Sequence, residues 1–196
     1  MNCAAIILAA GPSSRMGQPK QMLQIGGEKL LRKTINTALE SELNRVCVVL
    51  GSHETEMRDL IAGLPVELVL NSEWKKGMGG SIKAGLQHLL SHGAAPDCIV
   101  ILVCDQPLLR KENISNLIQE HRKTKKPIIA SGYSETSGAP VLFNKKYFDE
   151  LRLLPDDQGA KKIILRNPSD VVVIPFPEGE IDLDTPEDYQ KLTRHL

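Results

Sequence analysis

Apolar runs and amphipathic stretches alternate along the chain. Residues 4–9 are apolar throughout, the pattern of a strand covered on both faces in the middle of a parallel sheet. A short apolar extension at 21–25 is turned by Gly26 and Gly27, and Leu30, Leu31, Thr34, Ile35, Ala38 and Leu39 then recur at helical spacing. Residues 46–50 predict a second buried strand ending at Gly51, and 66–70 a third. Between them, 54–62 reads as a helix with Met57, Leu60 and Ile61 inward and Gly63 as its stop. A loop at 71–80 holds Trp74, the only tryptophan, and runs into a helix over 81–92. Residues 98–104 are the most apolar strand, halted by Asp105 with Pro107 just after.

The second half is less regular. The pattern predicts a helix over 113–125 with Ile114, Leu117 and Ile118 inward, and short strands at 128–130 and 141–143 around a polar, Gly-containing stretch. Helices over 145–153 and 159–166 and a strand at 171–174 follow. Residues 181–184 lead into a C-terminal helix opened by Thr185 as N-cap and Pro186 at the first helical position. Alternation at this spacing implies an α/β fold, a mostly parallel sheet with helices on both faces, in one domain over residues 1–196. Residues 131–168 break the alternation and are expected to form a small inserted lobe.

Composition narrows the class. A chain of 196 residues can bury about 70% of its unfolded surface, so it needs no staple. Lys+Arg and Asp+Glu are both 24, giving zero formal net charge, which argues against a general nucleic-acid or membrane-surface binder. Any phosphate site must be a local concentration of donors. Cys3, Cys47, Cys98 and Cys104 lie in or beside apolar segments with no C-x-x-C pair, so buried, reduced thiols are expected. His53, His88, His92, His121 and His195 show no metal spacing and read as helix-surface positions. Arg122 to Lys126 is a basic helix end that complements the helix dipole. With no signal-like opening and no apolar run near ~18 residues, a soluble cytoplasmic protein is expected.

In open α/β sheets ligands sit beyond the carboxyl ends of the strands, and the loops at 11–20, 71–81 and 105–107 all belong to that edge. The first reads GPSSRMGQPK. Five residues separate Gly11 from Gly17 and Lys20 lies three beyond, so it is neither a P-loop nor a dinucleotide-binding G-x-G-x-x-G turn. Gly11 permits close backbone approach, Ser13, Ser14 and successive N–H groups can donate to phosphate oxygens, and Arg15 and Lys20 supply cations. An ordinary βα loop with solvated charges is the plainer alternative. Asp105 would suit a hard cation bridging carboxylate and phosphate, or would simply cap a turn before Pro107. Asp182 and Asp184, spaced i, i+2, point to one side of an extended segment, unless Asp184 or Thr185 only caps the last helix. The loop NSEWKKGMGG holds Gly77, Gly79 and Gly80, whose backbone amides can read the edge of a flat base; equally, it is a flexible loop with Trp74 over the core.

Taken together, LAAGPSSRMGQPKQMLQIGGEKLL, NSEWKKGMGGSIKAGL, CDQPLL, SGAPVLF, DDQGAKKII and DLDTPEDY resemble, in order and over residues 8–189, the Rossmann-like nucleotidyltransferases of the molybdenum-cofactor branch, specifically its cytidylyltransferase-like (MocA/MobA-like) members. The resemblance implies a Mg²⁺-dependent transfer of CMP from CTP to the phosphate of molybdopterin or its Mo-bound form, releasing pyrophosphate. It implies that Leu8, Ala9, Ala10 and Gly11, with Asn71, Gly77, Met78, Gly79, Gly80 and Ser81, frame the base and ribose. Ser13, Ser14, Arg15 and Lys20 would hold the triphosphate, Asp105, Asp184 and Asp182 the metal, and Arg15, Lys20 and Asp105 would carry catalysis. Gly138, Pro140, Gln158 and Gly159 would face the pterin. Guanylyl-transferring relatives typically read LAGG with an acid before the lysine, whereas this chain has Ala10 and Pro19, which favours cytidylyl. Ala139 stands where relatives often carry histidine. A molybdoenzyme or its chaperone is the expected downstream partner. The rivals are a GTP-using or sugar-phosphate nucleotidyltransferase, and a non-catalytic cofactor chaperone. The chaperone would be expected to lack one of Arg15, Lys20, Asp105 and Asp184, and all are present.

Overall fold

In the computed structural model, which describes residues 1–194 and only the backbone of Arg15, the opening apolar run becomes β1 (Cys3–Ala9) in a seven-stranded sheet. Ala5, Ile7 and Ala9 enter one core layer, Ala4 and Ile6 the other, as strand alternation requires. β2 (Gln24–Ile25) and β3 (Glu28–Lys29) form a separate hairpin. Then come α1 (Leu30–Leu39), β4 (Arg45–Leu50), α2 (Glu54–Ile61), β5 (Glu67–Leu70), α3 (Met78–Ser91) and β6 (Cys98–Val103). The second half contains α4 (Lys111–Thr124), β7 (Ile128–Tyr133), β8 (Thr136–Asn144), α5 (Phe148–Arg152), α6 (Lys161–Arg166), β9 (Val171–Pro175) and α7 (Pro186–Thr193).

The strand order is β5-β4-β1-β6-β8-β7-β9. Every strand of this sheet runs parallel to β1 except β8, which is antiparallel to both β6 and β7. One face is covered by α1, α2 and α4 through Leu31, Ile35, Met57, Ile61, Ile114 and Leu117. The other is covered by α3, α5 and α6 through Ile82, Leu86, Leu151 and Ile163. Gly85 lets α3 settle close to the sheet, since a Cβ there would lie 2.7 Å from Ile6 Cγ2.

Residues 131–168, expected as an inserted lobe, open inside this sheet. β7 and β8 pair along their lengths, with a register shift between Ala130 and Ser131, and α5 and α6 pack on one face. Both strands outrun their apolar spans because backbone pairing carries polar and glycine positions into the ladder, down to Tyr133 opposite Thr136. Residues 145–147 form a 3₁₀ turn ahead of α5 rather than one continuous helix.

The cysteine reading is corrected in part. Cys3 and Cys98 sit directly opposite in the β1–β6 register, Cα atoms 4.9 Å apart, and are joined by a disulfide. Cys47 and Cys104 are free and buried. The pairing depends on a strand register between residues 95 apart, which local spacing does not report. His121 is also not a surface residue: it is buried, with Nδ1 2.7 Å from the Lys126 carbonyl. His53 precedes α2 in a left-handed conformation, and His195 lies outside the described residues. Among the described residues, no helix is long and apolar enough to cross a membrane.

Candidate active site

The loop leaving β1 is closed on itself by its own side chains. Gln21, 2% exposed, donates from Nε2 to the Ala9 carbonyl (3.0 Å) and the Gly11 carbonyl (3.1 Å). Ser13 Oγ accepts from the Lys20 N–H (3.0 Å) and donates to Gln21 Oε1 (3.3 Å). The end of the loop is thereby pinned to its start. Gly11 itself has nothing within 4 Å of where a Cβ would be, so the fold places no steric demand for glycine there.

Closing the loop delivers Lys20 to the carboxyl end of β6. Its Nζ lies 2.6 Å from Asp105 Oδ2 and 3.5 Å from Asp184 Oδ1. Burial works against the ammonium charge, but Asp105 and Asp184 outweigh it and raise the Lys20 pKa above its ordinary value. Asp184 is brought there by the Leu183 N–H, which donates to the Asp105 carbonyl (3.1 Å). Capping of α7 falls instead to Thr185 and Asp188, in a reciprocal box with Pro186 at the first position. Asp182 points to the same area. Burial first, then the charges of Asp105 and Asp184, push its carboxyl up to about 6. Among the described residues no three His, Cys, Asp or Glu side chains form a ready cage for a metal. The donors present are hard carboxylate oxygens whose mutual repulsion a cation would relieve. They suit a divalent ion that completes its shell with water and phosphate oxygens.

Three hollows meet at this cluster. The largest, about 370 Å³, lies over the ends of β1 and β6 and is walled by Leu8, Ala10, Gly11, Lys20, Trp74, Met78 and Ser81, with Asp105 at its far side. Trp74, half-buried, fits because Gly51 has no side chain: a Cβ there would lie 2.7 Å from Trp74 Cβ. A second hollow of about 200 Å³ is lined by Gly11, Ser13, Ser14, Lys20 and Asp184. The third, about 230 Å³, opens on the other side of Asp105 and includes Gln106, Tyr133, Gly138, Gly159, Lys161 and Asp182.

The glycines of the 77–80 loop also make close contacts within the chain. A Cβ on Gly77 would lie 2.4 Å from the Asp156 carbonyl oxygen, and one on Gly79 2.2 Å from that of Pro155. The Gly79 N–H already donates to the Asp156 carbonyl (2.9 Å). Close backbone approach is used to seat the chain's own 155–158 segment on the start of α3, and Lys83 Nζ holds the Asp156 carboxylate at 2.6 Å. Gly77, Met78 and Ser81 line the large hollow, while Gly79 is buried. Asn71 is buried and donates to Ser81 Oγ (3.0 Å), orienting that hydroxyl.

On the third hollow, Gly138 leaves room for the Tyr133 phenol, whose oxygen would be 2.6 Å from a Cβ. Burial, with Asp182 and Asp105 nearby, raises the Tyr133 pKa and keeps the phenol neutral. Pro140 is buried, its carbonyl accepting from Ser131 Oγ (2.7 Å), and it lies behind the wall rather than on it. Gln158 turns through its N–H to the Pro155 carbonyl (3.1 Å) and is likewise absent from the lining. Ala9 is buried, its carbonyl serving Gln21. The Arg15 side chain lies outside the described structure; its backbone is in the 3₁₀ turn Ser14–Met16.

Sequence reasoning missed Gln21, Gln106 and Tyr133. Gln21 directly follows Lys20 in the opening motif and Gln106 directly follows Asp105, so both stood in view. Nothing local marked Tyr133, which reaches the site through the β7–β8 pairing, while Lys161 lay inside the DDQGAKKII motif and arrives at the start of α6.

Comparison with known proteins accords with this geometry. A model of the "MobA-like NTP transferase domain" matches residues 5–171. The chain is 30% identical over 203 residues to the purine catabolism protein PucB of Bacillus subtilis (strain 168), covering 97% of this chain and 96% of PucB. The crystal structure of Rv0371c from Mycobacterium tuberculosis H37Rv superposes with a TM-score of 0.85 at 24% identity, covering 98% of this chain and 97% of that one. A complex of Rv0371C with manganese gives 0.82 at 22% identity, with both chains fully covered. The chain therefore belongs to the MobA-like NTP transferase family and is a nucleotidyltransferase.

Proposed function

We propose that this enzyme transfers the cytidylyl group of CTP to the phosphate of molybdopterin or its Mo-bound form and releases pyrophosphate, acting in the cytoplasm ahead of a molybdoenzyme or its chaperone. The observation that carries the reading is Lys20 held between Asp105 and Asp184 where the three hollows meet. A cation and two carboxylates at that point suit a polyphosphate on one side and an anionic acceptor on the other.

In this reading the large hollow takes the base and ribose, with Trp74 and Leu8 as apolar surfaces and the oriented Ser81 hydroxyl as a polar contact. The hollow lined by Ser13, Ser14 and Lys20 takes the β- and γ-phosphates, and the third takes the acceptor. An acceptor phosphate oxygen attacks the α-phosphorus, the bond to the bridging oxygen breaks, and pyrophosphate leaves with the electron pair. The acceptor is already anionic, so no strong base is required. The chain positions both partners in line and neutralises charge on the leaving group through Lys20 and the loop N–H groups. Asp105 and Asp184, with Asp182 beside them, would hold Mg²⁺, which when bound adds charge stabilisation at the phosphates. The manganese found with Rv0371C supports a divalent ion here.

The test is pyrophosphate release with each of the four NTPs, offered molybdopterin or a sugar 1-phosphate, with product identification. CTP with molybdopterin is expected to be the productive pair, and EDTA to abolish it. Turnover confined to GTP, or to the sugar phosphate, would overturn the assignment.

A further inference from the structure

Gln106 is 3% exposed, and both N–H bonds of its amide are committed. Nε2 donates to the Ala139 carbonyl and the Gly179 carbonyl, each at 3.0 Å. Turning the amide over would face an oxygen toward two carbonyl oxygens, so its orientation is fixed. That leaves Oε1 buried with no hydrogen-bond partner among the described residues, in a side chain that lines the third hollow beside the Tyr133 phenol. A buried acceptor in this state awaits a donor from outside the chain.

The rest of the wall says what kind of donor. Ile82, Ile101, Val141 and Ile164 make one side apolar, while the polar side presents Asp105, Asp182 and the Tyr133 phenol next to Gln106. Lys161 Nζ already donates to Thr136 Oγ1. A sugar, with hydroxyls on every side, would leave several unpaired against the aliphatic side chains. A flat nitrogen heterocycle matches both sides, with its faces on the apolar wall and its N–H edge toward the acceptors. We propose that Gln106 is a specificity-determining residue of the acceptor hollow, its Oε1 accepting a hydrogen bond from a ring N–H of a heterocyclic acceptor substrate. This rests on the reading of that hollow as the acceptor side. The same amide ties together two flanks of the hollow, Ala139 in β8 and Gly179 in the 176–180 turn.

The probes are 6-hydroxymethylpterin and its N3-methyl derivative, titrated into the whole protein and followed by NMR at the Gly138 and Gly159 amides. The wild type should bind the parent compound about 10-fold or more tightly than the methylated one, as expected where a buried acceptor is left unpaired. Gln106→Met should bring the two within about twofold of each other by weakening the parent. A merely structural role would weaken both equally and keep their ratio. Should Gln106→Met not fold, the wild-type ratio decides, together with the Gln106 side-chain carbonyl resonance, which should move with the parent compound alone. Equal binding of the two pterins, binding of neither, or a preference that survives in Gln106→Met would overturn the proposal. Absence of pyrophosphate release from CTP and molybdopterin by the wild type would instead refute the proposed reaction, leaving the pterin pair to decide the role of Gln106.

Discussion

The two sides of Asp105 are built in different ways. The proposed nucleotide side is one loop from one strand, residues 10–21, closed by its own Ser13 and Gln21 and capped by a helix start at Met78. The proposed acceptor side is gathered from Tyr133, Gly138, the 155–161 segment and the 179–182 turn. Its walls are joined by backbone approach, by the Gln106 amide and by the Lys161–Thr136 hydrogen bond. A local ring of hydrogen bonds can be deleted residue by residue with local effects. A wall assembled from distant segments should instead respond as a unit.

Asp105 belongs to both sides, so its replacement should have the largest effect. Asp105→Asn is expected to lower kcat by about 10²–10³-fold with the circular dichroism spectrum unchanged. Near-normal turnover would remove Asp105 from the centre of the site. Lys20→Ala should confine its damage to the nucleotide side, weakening CTP binding about 10–100-fold by calorimetry as a charged hydrogen-bond partner is lost. A comparable loss of acceptor binding in that variant would erase the division.

A pair of glycine substitutions sharpens it further. Gly79→Ala drives a Cβ into the Pro155 carbonyl and should cost about 1–3 kcal/mol, read as a lower Tm, and should loosen acceptor binding through the displaced 155–160 segment. Gly11→Ala meets no atom of the chain and should leave stability within about 0.5 kcal/mol while weakening nucleotide binding.

The smallest expected effect concerns pH. The folded-state pKa of Asp182, pushed up to about 6, lies above its ordinary value of 3.8. Ionised Asp182 is therefore disfavoured in the fold, and its contribution to stability falls as pH rises through that interval. Asp182→Asn should raise the Tm of the metal-free protein at pH 7.5, lose that advantage by pH 4, and show less of it when Mg²⁺ is saturating. A gain independent of pH would place the cause elsewhere.

What was legible in the sequence follows the same division. The apolar runs revealed the parallel strands because burial on both faces leaves no alternation to misread; Asp105 stood just past a strand end, Lys20 closed the loop after β1 and Asp184 stood just ahead of the last helix. The acceptor side was largely hidden. β8 carries Thr136, Ser137 and Gly138 as ladder residues whose pairing is a property of the partner strand, not of their own composition. The glycines at 77 and 79 announced close approach without saying to what, and the approaching backbone lies almost eighty residues away in the sequence. Cys3 and Cys98 were unreadable for the same reason. A register between residues 95 apart leaves no trace in local spacing.

The antiparallel strand β8 also has a kinetic consequence. Within the seven-stranded sheet, β7 and β8 are the only pair joined by a short turn, whereas β1 meets β6 across 95 residues. Loop closure favours the short connection, so the hairpin should be the first part of the sheet to gain protection during refolding. The nucleotide side, simplest in the finished structure, would then be the last to assemble, because its central strand must wait for partners from far along the chain.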